Sequence, residues 1–172
     1  MKLAHRTGRT QTLTAAFLAV AMAATVGIAL AFQHVGGYIP CKLCLEQRTP
    51  YYVGIPLMAL AALSSLVNWP AWLTRGLLLA GGALMVWGLY MGIYHAGVEW
   101  SWWQGPADCG VVAGPADTGE RGVLDALDTV VPPSCDQAAG RFLGLSFAGW
   151  NVVASLILAA VALRGAFARA AA

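Results

Sequence analysis

Charge is what this sequence has least of. Only 10% of its 172 residues are Asp, Glu, Lys or Arg, and 59% are hydrophobic, whereas an ordinary soluble domain carries about 25% charged residues. So little polar surface could not cover a water-soluble core of this size. The formal net charge of +2 leaves no basic footprint for nucleic acid. No nucleotide-binding glycine motif is present, so nothing points to a flavin or nicotinamide. The roughly 10-residue alternating segments of a membrane β-barrel are also missing, as are internal repeats and low-complexity tracts.

What the chain does have is long uncharged runs. Leu13–Phe32, Thr49–Val67, Gly76–Tyr94 and Phe142–Leu163 contain 20, 19, 19 and 22 residues. About 20 apolar residues, rising roughly 1.5 Å each, cross a hydrocarbon core of about 30 Å. The expected fold is therefore an all-α membrane protein: one four-transmembrane-helix bundle over residues 1–172, with spans near 13–32, 49–67, 76–94 and 142–163. Lys2, Arg6 and Arg9 precede the first run, and Ala29-Leu30-Ala31 has the look of a signal-peptidase site. A cleaved signal is the alternative there, but the run exceeds the usual signal core of about 7–15 residues, which favours a retained helix.

Positive residues flank the cytoplasmic ends of membrane helices. With the N-terminus inside, Lys2, Arg6, Arg9, Arg75, Arg164 and Arg169 become cytoplasmic. Lys42, Arg48, Arg121, Arg141 and all 8 acidic residues fall outside. Both termini are thus expected in the cytoplasm, and both outer loops carry cysteines. Cys41 and Cys44 follow the first span, and Cys109 and Cys135 follow the third. Thiols outside the cytoplasm tend to become disulfides. Four cysteines allow three pairings, of which 41/44 with 109/135 is the simplest. A purely structural staple is the plain alternative, most of all for 109/135. In the second loop, Val123, Leu124, Leu127, Val130 and Val131 recur on one helical face with Asp125 and Asp128 opposite. That pattern predicts a short helix, either on the membrane surface or packed on the protein.

Chemistry concentrates at Cys41-Lys42-Leu43-Cys44, which has the spacing of a redox-active dithiol. If the second helix begins near Cys44, Arg48 lies one turn on, where a guanidinium could stabilise a thiolate or draw an electron-rich oxygen. Interfacial snorkelling is the alternative for Arg48. His95 closes the third span with Glu99 one turn later, so it is a candidate beside a carrier pocket or else a satisfied interfacial histidine. Zinc would need reduced thiolates in an oxidising compartment and a second compact ligand pair, so no metal is expected. Haem attachment is disfavoured because Leu45, not histidine, follows Cys44.

Taken together, the chain resembles the DsbB family of disulfide-forming membrane oxidases. The resemblance rests on Pro40-Cys41-Lys42-Leu43-Cys44 with Gln47-Arg48, on Cys135 followed by Arg141-Phe142-Leu143-Gly144-Leu145-Ser146, and on Trp150-Asn151. It implies a bacterial inner-membrane protein with periplasmic cysteine loops that reoxidises a periplasmic DsbA-like thiol protein and passes two electrons to a membrane quinone, ubiquinone first. It also implies that the partner attacks Cys109, that Cys135 exchanges with a Cys41–Cys44 disulfide, and that Cys44 faces the quinone aided by Arg48. A relay of this kind keeps the bacterial periplasm oxidising. A vitamin-K-epoxide-reductase-like enzyme is the nearest rival; its cysteines are placed differently. A structural protein braced by two disulfides is the rival of another class.

Overall fold

The computed structural model describes residues 8–106, 109 and 134–168. Four helices long and apolar enough to cross a membrane dominate it. In chain order the elements are α1 (Arg9–His34), α2 (Lys42–Glu46), α3 (Thr49–Leu66), α4 (Ala71–Glu99), β1 (Arg141–Phe142), β2 (Leu145–Ser146) and α5 (Phe147–Phe167). The long helices form a ring in which α1 packs on α3, α3 on α4, α4 on α5, and α5 back on α1. The short connection between Leu66 and Ala71 makes α3 and α4 antiparallel. The protein is an all-α, four-helix membrane bundle.

The bundle has its own apolar interior. Leu18 and Met22 of α1, Met58 of α3, Leu78 and Met85 of α4, and Leu158 and Ala162 of α5 form a contiguous buried cluster. Leu13, Phe17, Val20 and Ile28 of α1 point outward, as expected of a surface solvated by lipid. Small residues bring the helices close, the usual basis of packing where lipid removes a hydrophobic drive. A Cβ on Gly54 would lie 2.7 Å from the Met22 sulfur, and one on Gly92 would lie 3.0 Å from Asn151 and Val152.

Helix bounds depart from the expected spans for identifiable reasons. The third span, expected over 76–94, runs from Ala71 to Glu99. Its polar flanks are drawn inside: Arg75 is 1% exposed and donates to the carbonyls of Ala166 and Ala168 at the end of α5. The fourth helix starts at Phe147, not Phe142, because β1 and β2 pair first, Arg141 opposite Ser146 and Phe142 opposite Leu145. Leu143 and Gly144 make the turn, both at positive φ, as a tight primed hairpin turn requires. Ser146 then caps α5, its hydroxyl accepting from the Gly149 amide at 3.1 Å. The helix expected at Val123–Val131 lies outside the described residues, as do Lys2, Arg6, Arg121 and Arg169.

Beyond α4 the chain doubles back. Ser101 adopts positive φ, and the Trp103 indole donates to the Tyr94 carbonyl at 2.8 Å while stacking on the Tyr94 ring. The ring covers Gly97, where a Cβ would collide with it. Gly97→Ala should therefore unseat Trp103 and cost about 1–3 kcal/mol, an overpacking penalty. Thermal unfolding in detergent measures it, and an unchanged midpoint would show that the ring does not depend on the glycine.

Candidate functional site

The CxxC segment is built around its own helix start. Pro40 precedes Cys41, the N-cap of the five-residue α2, and the Cys44 amide donates to Cys41 Sγ at 3.3 Å. One α2 turn then brings the sulfurs to 2.9 Å. Both are thiols in this structure, so the expected Cys41–Cys44 bond is not formed here, although the two sulfurs are adjacent. Cys41 is only 3% exposed. Its thiol is held well below the usual range, first by the hydrogen bond from Cys44, then by His95, against the opposing effect of burial. A thiolate favoured at Cys41 beside a second thiol is a nucleophilic state of the kind exchange chemistry needs.

Cys109 and Cys135 are disulfide-bonded. The bond lies in the same buried cluster as the first pair, with Cys41, Leu43, Val98 and Cys135 at its centre and Cys44, Met91, Tyr94 and Cys109 around it. Spacing alone could not show that the two pairs converge.

Arg48 does not extend α2. It caps α3 after a turn at Gln47, and its guanidinium donates to Gln33 Oε1 at 2.6 Å. Cys44 and Arg48 nonetheless face one cavity of about 530 Å³ between α1, α3 and α5. That volume is within the usual range for small-molecule sites. Val26, Ile28, Ala29, Phe32, Phe147 and Ala154 give it apolar walls, and Gln33, Gln47, Tyr51, His95 and Asn151 supply polar atoms. Phe32, Tyr38 and Phe147 pack against one another at its edge. The cavity suits a flat, mostly apolar molecule with a few oxygens: apolar walls would receive its body, and Arg48 would meet an oxygen beside Cys44.

His95, expected only beside a carrier pocket, sits deeper. It is 2% exposed, lines the cavity, and brings Nε2 to 3.6 Å from Cys41 Sγ. The same nitrogen is 3.9 Å from Glu99 Oε1, whose side chain is 3% exposed. Its Nδ1 meets the Gln47 amide nitrogen. Gln47 Oε1 accepts from Asn151 Nδ2 at 2.8 Å, and Asn151 Oδ1 accepts from the Tyr51 hydroxyl at 2.7 Å. Gln47, Tyr51 and Asn151 had no expected site role. A 48-residue separation between Gln47 and His95 leaves no local signal, and Gln47 and Asn151 entered the sequence reading only within short family-like motifs. His34 is exposed at the end of α1.

Comparisons with known proteins agree on one family. The family model described as "Disulfide bond formation protein DsbB" matches residues 11–164. "Disulfide bond formation protein B" of Polaromonas sp. (strain JS666 / ATCC BAA-500) is 27% identical over 160 residues, covering 86% of each chain. No solved structure matches the chain significantly.

Proposed function

The chain belongs to the DsbB family of disulfide bond formation proteins, and from that premise we propose a protein-dithiol:quinone oxidoreductase of the bacterial inner membrane. It reoxidises a periplasmic DsbA-like thiol protein and delivers two electrons to ubiquinone in the bilayer. Both termini lie in the cytoplasm and both cysteine loops in the periplasm. The observation that carries this reading is the convergence of both cysteine pairs in one buried cluster, with Cys44 and Arg48 on the wall of an apolar cavity.

The electrons move by successive exchange. A thiolate of the reduced partner attacks Cys109, and Cys135 leaves as the thiolate. A second partner thiolate displaces Cys109, so the partner departs oxidised and the Cys109/Cys135 pair is reduced. Cys135 attacks the Cys41–Cys44 disulfide at Cys41, freeing Cys44. Cys109 then displaces Cys41 and restores the Cys109–Cys135 bond. The reduced Cys41/Cys44 pair holds two electrons and two protons, and its reoxidation delivers both to the quinone. The quinone supplies the two-electron sink, and the protein contributes an apolar seat, a guanidinium beside the developing oxygen charge, and a dithiol held with one sulfur as thiolate.

Purified protein mixed with a reduced DsbA-like partner should consume ubiquinone catalytically, with one partner disulfide formed per quinone reduced. No turnover with a competent partner and quinone present would refute the assignment and favour disulfides that only brace the loops.

A further inference from the structure

The hydrogen-bond chain behind the dithiol has a direction, fixed by one group that cannot be reversed. Asn151 Nδ2 donates to the Gly88 backbone carbonyl at 3.2 Å, and a carbonyl oxygen can only accept. The Asn151 amide is therefore oriented, with Oδ1 toward the Tyr51 hydroxyl and Nδ2 also toward Gln47 Oε1. Gln47 must then turn its amide nitrogen, a donor only, to His95 Nδ1. A ring nitrogen that accepts carries no proton, so the neutral imidazole bears its proton on Nε2. Nε2 in turn faces Cys41 Sγ at 3.6 Å, an acceptor when it is the thiolate, and the Glu99 carboxylate at 3.9 Å. The surroundings of Nε2 are thus compatible with the tautomer that Gln47 sets.

We propose that Asn151 and Gln47 are positioning residues for the dithiol: they hold His95 as the Nε2–H tautomer, so that the imidazole donates to Cys41 Sγ. The proposal deepens the oxidoreductase reading and takes its functional meaning from it. The same nitrogen that steadies Cys41 as thiolate belongs to a residue on the cavity wall. The hydrogen-bond chain therefore links Cys41, the partner of Cys44 in the dithiol, to the cavity wall that Cys44 also lines. Glu99 completes the surroundings: its Oε1 stands 3.9 Å from Nε2, so the Nε2–H can turn its hydrogen bond toward the carboxylate when Cys41 is in a disulfide.

The test reads the tautomer directly, in reduced protein in detergent without quinone or partner. Isotope-labelled histidine distinguishes the two ring nitrogens by NMR, and His95→Gln identifies the His95 signals among the 3 histidines. Wild type should show His95 protonated on Nε2 and bare on Nδ1; a proton on Nδ1 overturns the proposal. Gln47→Glu replaces the donor with an acceptor and should move the proton to Nδ1. Asn151→Leu frees the Gln47 amide and should give a mixture of tautomers. In a Cys44→Ser background, carbon-labelled cysteine reports Cys41 ionisation next to His95, which itself stands beside Glu99. There Asn151→Leu should raise the Cys41 midpoint by about one pH unit, the scale of one lost hydrogen bond to a charged group. An unmoved midpoint with an unmoved tautomer defeats it. Because no quinone or partner is used, failure here leaves the relay standing, and a failed quinone assay leaves the tautomer result standing.

Discussion

Cys44→Ser is expected to reduce quinone turnover at least about a thousandfold, whether the electrons come from a DsbA-like partner or from a small dithiol, since loss of a nucleophile costs on that order. A serine hydroxyl cannot form the disulfide, and its alkoxide is inaccessible at neutral pH. Cys135→Ser should behave differently. It should abolish partner-driven turnover but leave a small dithiol, supplied in large excess, able to drive quinone reduction slowly by attack at Cys44, the half-buried sulfur of the intact Cys41–Cys44 pair. The two variants thus separate the quinone end of the relay from the partner end. Equal loss in both assays for both variants would mean that the cysteines brace the fold instead of carrying electrons in sequence. Stopped-flow quinone absorbance, with membrane insertion confirmed for each variant, makes the comparison.

Arg48→Met should raise the KM for ubiquinone about 10- to 100-fold, the equivalent of one charge-assisted hydrogen bond at roughly 1.5–3 kcal/mol. Methionine keeps much of the apolar stem but removes the guanidinium from a cavity whose walls are otherwise largely hydrocarbon. The partner KM should stay unchanged, because Arg48 faces the cavity beside Gln33 and not the Cys109–Cys135 bond. An unchanged quinone KM would assign Arg48 to holding α1 against the start of α3 through Gln33 and nothing more.

Much of the architecture is legible in the sequence. Uncharged runs of span length report a bulk property of the bilayer, and they locate all four long helices. Their ends were less legible, because a charged or polar residue reads as an exit from the membrane. Arg75 instead caps the end of α5 from inside the bundle, and His95 is enclosed by Gln47 and Cys41. The Leu143-Gly144 turn was hidden in an apolar run whose composition does not distinguish a hairpin from a helix.

The site divides the same way. Cys41 and Cys44 announce themselves by spacing, and Arg48 by its distance from them. Gln47 and Asn151 are ordinary polar residues 104 positions apart, and only the ring of helices joins them. Helix α4, packed against both α3 and α5, lends the Gly88 carbonyl on which the whole amide orientation depends.

The burial of the cysteines has an electrical consequence. Cys41 and Cys135 are 3% and 2% exposed, so small thiols dissolved outside the membrane have almost no route to either sulfur. In the proposed relay this is insulation: current enters at Cys109, the less buried end of its bond, and leaves at the cavity. A leak at Cys41 would let any stray reductant drain the quinone pool without making a useful disulfide. In that relay the packing around the cysteines would set the coupling efficiency as well as the stability.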